Sequence, residues 1–365
     1  MHGNHYKDNS LRRVPGFRPE RLTRLMRAAV RRCDLNLTDL VVFTEAASGA
    51  YAVTPVLAAL GGARQVFALA RSSAHGTIEE IAQATSRLAG IAMVADRIEI
   101  VTRKQPEIIG QADIITNSGH VRPIDSETVR WMKPTAVVPL MFESWEFRPG
   151  DLDLAACMEY GIPVAGTNER NPAVEVFSFL GMMAVRLLLD AGVAVWGSRV
   201  LVLSDNPFRP FLERGLAQSG AMVEGSGTLE AQPDLTEPDV ILVAMRPRDQ
   251  PVVGSREANL IAQRYPGAIV AQFWGDLDRS ELSCHDVPFW PLEAPLPGHQ
   301  GVLPSSIGPE AVIRLQAGGL KVGEVMARAR LSGSTSRDPA GAAVAAAVAS
   351  GFGQALTRDV RGCMK

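Results

Sequence analysis

Short apolar runs and amphipathic stretches alternate along this chain with a regular beat. Residues 40–44 are apolar with β-branched members, Ser48 and Gly49 break the run, 51–60 have helical spacing, Gly61 and Gly62 end that helix, and 65–70 are apolar again. The unit is strand, turn, helix, strand. It continues as helix 77–89, strand 97–101, helix 106–110, strand 113–117, helix 126–132, strand 136–140, helix 152–160 and strand 163–166. Such alternation predicts a parallel sheet with helices on both faces. Ahead of it, after a polar start, Leu22, Leu25, Met26, Ala29 and Val30 fall at helical spacing.

Residues 171–191 then carry Val174, Phe177, Leu180, Met183, Leu187 and Leu188 on one long stripe, which predicts a hinge helix. The beat restarts with strand 199–203, helix 207–218 and strands 221–224, 240–244 and 268–272, and the Ala-rich residues 341–355 predict a packing helix. The expected fold class is α/β, with two Rossmann/flavodoxin-like parallel-sheet domains joined by a long hinge helix. A flavodoxin-like domain is placed at 1–172, a Rossmann-like nucleotide-binding-type domain at 173–304, and a helical return to the first domain at 305–365. A length of 365 residues suits two domains.

Composition removes several classes of function. A net charge of -2, with 21% charged residues and no basic block, gives nothing to follow a phosphate backbone, so no nucleic-acid partner is expected. No apolar run approaches membrane-spanning length, and the Arg-rich start (Arg12, Arg13, Arg18, Arg21, Arg24) lacks an apolar signal core, so a cytoplasmic protein without membrane association is expected. Cys33, Cys157, Cys284 and Cys363 are far apart and read as free thiols, mostly buried. No histidine pairs with another ligand at zinc-helix spacing, and there is no GxSxG elbow, so neither a metal site nor serine-hydrolase chemistry is expected.

Three segments carry a resemblance. "ITNSGHVRPID" at 115–125, "YGIPVAGTNERNPAVEVFSFLGMMAVRLLL" at 160–189 and "GSRVLVLSDNPFRPFLERGLAQSGAMV" at 197–223 resemble, in that order, parts of the D-2-hydroxyacid dehydrogenase (formate/glycerate dehydrogenase) superfamily. These are the loop whose backbone amides face the substrate carboxylate, the strand and hinge helix, and the opening of the NAD domain. The resemblance covers roughly residues 40–315. It implies an oxidoreductase of small-molecule metabolism that uses NAD or NADP on a small carboxylate or amino-acid-like substrate in an interdomain cleft, and a homodimer. The departures are as informative. The three fingerprint glycines that admit a pyrophosphate read Ser204, Asn206 and Arg209, Trp274 stands where the family's catalytic arginine would be, and Ser305 or Ser306 meets its histidine.

Candidate residues follow from position. Ser204, Asp205, Asn206, Arg209, Arg246 and Trp274 are the expected cofactor contacts, with Asn206 and Pro207 suited to open a helix. Asn117, Ser118, Gly119 and Arg122, after one strand end, and Asn168, Glu169 and Arg170, after another, are the expected substrate contacts, because ligands of open α/β sheets bind at strand carboxyl ends. His120 and Glu143, with Glu293 and His299 in a Pro/Gly-stiffened loop, are the candidate acids and bases. A weaker phosphate signal is Arg71-Ser72-Ser73 after the second strand. Non-redox chemistry (elimination, hydrolysis or condensation) on the same fold, or ligand binding without catalysis, are the alternatives.

Overall fold

A computed structural model describes residues 14–73, 76–230, 237–333 and 336–356 in two compact units. Unit 1 comprises the chain up to Val176 and again from Gly308, and unit 2 runs from Phe177 to Ile307. Cys363 and the arginines at 12 and 13 lie outside the described residues.

Unit 1 opens with α1 (Pro19–Arg32). It continues through β1 (Val41–Glu45), α2 (Val53–Leu60), β2 (Gln65–Leu69), α3 (Ile78–Ala92), β3 (Ile98–Val101) and α4 (Pro106–Ile109). Next come β4 (Ile114–Ile115), α5 (Ser126–Trp131), β5 (Val138–Pro139), α6 (Leu154–Glu159) and β6 (Val164–Thr167). The caps explain several boundaries. Thr77 and Glu80 close a reciprocal capping box on α3, Asp125 accepts the Thr128 N–H of α5, and Asp153 accepts the Ala156 N–H of α6. The strands are parallel in the order β3-β2-β1-β4, continued through the Ile114–Val137 bridge into β5 and β6. This 3-2-1-4-5-6 order is the doubly wound arrangement familiar from dinucleotide folds. Alternation along a sequence gives the layers but not the strand order.

Unit 2 contains α7 (Leu180–Asp190), β7 (Arg199–Leu203), α8 (Arg209–Gln218), β8 (Met222–Ser226), β9 (Val240–Ala244) and α9 (Ser255–Arg264). It ends with β10 (Ile269–Trp274), α10 (Arg279–Cys284) and β11 (Phe289–Trp290). All five strands are parallel, in the order β11-β10-β9-β7-β8, the flavodoxin-type arrangement. Gly181 and Gly215 let α7 and α8 touch backbone to backbone, since a Cβ on Gly181 would lie 2.6 Å from the Gly215 Cα. The predicted hinge helix is shorter than its apolar stripe. Residues 171–176 turn back on themselves, with Glu175 at a φ of 52° and its N–H on the Asn171 carbonyl, and helix begins only at Leu180.

The chain returns to unit 1 as α11 (Glu310–Leu331), α12 (Pro339–Ala349) and β12 (Gly353–Gln354), which adds antiparallel to β6. Helix α11 lies within the expected helical return at 305–365, where the sequence gives bounds only to the Ala-rich stretch 341–355. Its middle is buried on nearly every side, from Gln316 through Gly319 and again at Val322–Glu324, so no amphipathic stripe marks it. Gly318, Gly319 and Gly323 set it directly on the sheet. A Cβ on Gly318 would stand 2.7 Å from Val174 Cγ2, one on Gly323 2.8 Å from Ile114 Cγ2, and one on Gly319 would overlap the Met141 side chain. Two charged or polar groups on the helix are satisfied within the unit: Gln316 accepts from Thr54 Oγ1 at 3.1 Å, and Glu324 from the Asn36 N–H at 2.8 Å. Cys33 and Cys157 are buried free thiols and Cys284 is an exposed one. Among the described residues no helix is long and apolar enough to cross a membrane.

Overpacking a tight contact costs about 1–3 kcal/mol. Gly318→Val should therefore lower the stability of unit 1 by about that much in a denaturant titration, and an unchanged midpoint would show that α11 does not need its close approach.

Candidate functional site

Ligands of doubly wound sheets bind beyond the strand carboxyl ends where the strand order reverses, which in unit 1 lies between β1 and β4. Strand β1 ends in Glu45, only 4% exposed. Its Oε2 accepts the His120 N–H at 3.3 Å, and Gly119 lies so close that a Cβ there would overlap the carboxylate. Burial pushes the Glu45 carboxyl up to about 7, against the opposing pull of Arg122 and the His120 N–H. Tyr51 is within electrostatic reach of Glu45, Arg122 and Glu169. Burial, then the Glu45 charge, pushes its hydroxyl up to about 12, so it stays a proton donor.

Arg122 is the cation of this group. Its Nε donates to Asn117 Oδ1 at 3.0 Å and its Nη2 to the Asn117 carbonyl at 2.8 Å; it pairs with Asp151 at 3.4 Å and lies over the Phe142 ring. Burial lowers its pKa from the ordinary arginine value. Asn117 is fully buried, and its Nδ2 has no hydrogen-bond partner. Behind it, the Thr116 hydroxyl joins those of Thr44 and Ser118, each at 2.8 Å.

A second acidic group follows β5 and β6. Glu143 is fully buried: Oε1 accepts the Glu169 N–H at 3.2 Å and faces Arg170 Nε at 3.6 Å, and Oε2 accepts from Trp145 Nε1. Glu146 is pushed up to about 8 by burial and by the Glu143 charge. Glu169, 7% exposed, is raised by burial first and then by the charges of Glu146 and Glu143. Near neutrality Glu146 therefore favours its acid form, and Glu169 is shifted in the same direction. The Thr167 hydroxyl is buried beside them without a partner.

Of the expected substrate residues, the fold thus gathers Asn117, Ser118, Gly119, Arg122, Glu169 and Arg170 with His120 and Glu143 at one sheet edge. Asn168 serves the backbone instead, its Nδ2 donating to the Gly351 carbonyl at 2.9 Å. Glu45, Tyr51 and Glu146 join the site although they are not among the expected residues. The one sequence signal for Glu45 is its place at the end of the run "VVFTE", the strand carboxyl end where ligands bind; its burial comes only from the fold. Glu293 and His299 lie in unit 2, and both are exposed. Among the described residues no group of three or more His, Cys, Asp or Glu is placed to hold a metal ion.

The corresponding crevice of unit 2, between β7 and β9, is laced shut. Asp205 accepts the Arg246 N–H at 2.9 Å and Arg248 Nη2 at 3.3 Å, and Asn206 donates to the Ala244 carbonyl. Asn206 Oδ1 accepts the Phe208 N–H at 3.0 Å, so α8 starts two residues later than the Asn206-Pro207 pair suggests. Arg209 is turned onto Glu213, at 2.7 Å, and onto the Gly225 carbonyl. Trp274, 7% exposed, packs against Phe208 with ring centroids 5.4 Å apart and donates its indole N–H to the Gly298 carbonyl. Ser204 is buried, its hydroxyl without a partner. A pyrophosphate in the usual pose would meet a carboxylate and two committed side chains where a dinucleotide fold offers glycine N–H groups. These residues do not fit that group.

Each of the two units is a parallel α/β sheet of doubly wound topology. A dipicolinate synthase chain from Bacillus subtilis superposes with a TM-score of 0.51 at 12% identity, over 81% of this chain and 99% of that one. The corresponding dipicolinate synthase chain from Bacillus halodurans gives 0.48 at 11% identity over 77% and 96%, and NAD-dependent formate dehydrogenase from Staphylococcus aureus in complex with NAD gives 0.45 at 12% over 77% and 92%. At such identities the likeness is one of fold. No family model and no curated protein matches the sequence.

The raised carboxyls link folding to pH. A carboxyl whose folded pKa exceeds its ordinary 4.5 binds its proton more tightly when folded, so stability is highest below 4.5 and falls as pH rises through the folded value, here about 7 for Glu45 and about 8 for Glu146. Lys104, lowered by burial to about 8, acts only above that window. The melting temperature should fall from pH 5 to pH 8, and less steeply in Glu45→Gln; identical slopes would mean that Glu45 titrates normally.

Proposed function

We propose that the chain is an enzyme that binds a small carboxylate-bearing or amino-acid-like substrate at the carboxyl edge of unit 1's sheet and moves a proton with Glu45. The observation that carries this reading is a carboxyl buried at the strand-order reversal, titrating at about 7, beside a cation and an unspent amide N–H. The substrate carboxylate is drawn to the Arg122 guanidinium and the Asn117 Nδ2. Glu45, when ionised, takes a proton from the carbon next to the carbonyl, the C–H electron pair passing into an enolate, and the protonated Glu45 then returns that proton to the enolate carbon or oxygen. Glu146, pushed up to about 8, and Glu169, raised by burial and its acidic neighbours, reduce the negative charge around an anionic substrate.

Nicotinamide chemistry is what the fold's dehydrogenase neighbours suggest, with NAD or NADP in unit 2. The Asp205 and Asn206 contacts oppose that cofactor in its usual pose, and no step here runs through it. Titration with NADH and NADPH at millimolar concentration should leave their fluorescence and that of Trp274 unchanged; saturable quenching by either would restore the redox reading.

The proton-transfer reading is tested by NMR-detected exchange or consumption of 2-oxo acids and amino acids in D2O. Loss of a general acid–base typically costs 10²–10⁴-fold. Glu45→Gln should lower kcat by about that factor with KM little changed, and Arg122→Ala should chiefly raise KM. Full turnover in Glu45→Gln would sink the assignment.

A further inference from the structure

Unit 1 has a cavity of 360 Å³ whose lining residues come from the ends of three helices. Helix α1 supplies Arg27, Val30 and Arg31, the last turn of α2 supplies Ala59 and Leu60, and the end of α3 with the link into β3 supplies Ala92, Met93, Val94 and Arg97. Helices α2 and α3 run back from the strand carboxyl ends, so their C-termini, and this cavity, lie at the opposite edge of the sheet from Glu45.

Val30, Ala59, Leu60 and Val94 make an apolar floor, and three guanidinium groups stand around it. Two of the arginines have a structural duty. Arg27 Nη2 donates to the Ala92 carbonyl at 3.2 Å, left over at the end of α3, and Arg97 Nη1 to the Ala63 carbonyl at 3.5 Å in the turn between α2 and β2. Each contact uses one nitrogen, and a guanidinium carries five N–H donors. These contacts do not account for Arg31, whose side chain has no hydrogen bond or ion pair among the described residues. Neither Arg27 nor Arg97 has a carboxylate partner among them. The three exposed guanidinium groups carry more positive charge than the helix C-termini at this rim offset, at about half a negative charge each, so the pocket attracts anions.

Met93 is a separate observation at the same rim. It ends α3 with a φ of 60°, the left-handed position that glycine ordinarily fills, yet its thioether side chain is 79% exposed. An apolar side chain held there gains nothing from the protein's own packing, and it is a residue type that adapts to varied ligand surfaces.

We propose that this cavity is a second ligand site, for a small organic anion with an apolar body and a carboxylate or phosphate head. The head lies among Arg27, Arg31 and Arg97, and the body lies on Val30, Leu60 and Val94 under Met93. The volume is in the range of small-molecule pockets.

Calorimetric titration of the full chain with octanoate, octyl phosphate, octanol and inorganic phosphate tests it. The two amphiphilic anions should bind at least 10-fold more tightly than octanol or phosphate, and their ratio identifies the preferred head group. Arg31→Glu should weaken them at least 10-fold while lowering the melting temperature only slightly, by the effect of an anion in the last turn of α1, and Arg31→Lys should retain most of the wild-type affinity. Glu45→Gln should leave this binding unaltered, which separates it from the proton-transfer site. Octanol binding as tightly as octanoate would reduce the site to a greasy hollow. Phosphate binding as tightly as octyl phosphate would reduce it to an adventitious ion only. Binding of neither anion, or an Arg31→Glu variant that binds them normally, would overturn the proposal.

Discussion

Unit 1 depends on a helix that lies against its sheet with almost no side chain between them. Gly318, Gly319 and Gly323 of α11 meet Val174 and Thr167, Met141, and Ile114 and Pro139 respectively. Each contact sits just ahead of a segment that carries chemistry. Met141, in a left-handed conformation with a φ of 65°, delivers the chain to Glu143; Thr167 leads to Glu169; and Ile114 leads to Asn117 and Gly119. Three strand ends are therefore registered against one rigid face. Glycine is unfavourable inside a helix by roughly 1 kcal/mol relative to alanine, so three of them in one helix record a packing demand that outweighs propensity.

The two units treat the same architectural opportunity in opposite ways. Both are parallel sheets with a reversal of strand order, where backbone donors and a crevice come free with the topology. In unit 1 the crevice holds a buried acid, a half-buried cation and an amide N–H with nothing to bind. In unit 2, of the side chains that replace glycine, Asn206 is spent on the Ala244 carbonyl and Arg209 on Glu213 and the Gly225 carbonyl, and Ser204 keeps a buried hydroxyl without a partner. Burying polar groups without partners is unfavourable, so unpaired atoms such as Asn117 Nδ2 mark where a protein has kept binding capacity in reserve.

Much of this is legible in the sequence. The alternation of short apolar runs with helical stretches specifies both sheets, and the rule about strand carboxyl ends leads to 117–122, Glu143 and 168–170. Helix α11 is hidden because burial on all sides removes the periodicity that betrays a surface helix. The hinge helix is overextended because Val174 and Phe177 are buried for a different reason, Val174 under Gly318 and Phe177 beside Phe208 and Phe211. Glu45 escapes notice because its neighbours look like ordinary core. What makes it unusual is the absence of a Cβ on Gly119, a residue distant along the chain, and only the fold brings the two together.

Unit 2 is an insertion within unit 1, and that ordering matters while the chain is being made. Residues 177–307 are complete as soon as they leave the ribosome. The sheet of unit 1 must wait for α11 to cover one face and for β12 to pair with β6 at its edge. At about 5–20 residues per second, the delay is on the order of ten seconds, during which β4, β5 and β6 have an open flank. The second unit to begin is thus the first able to finish.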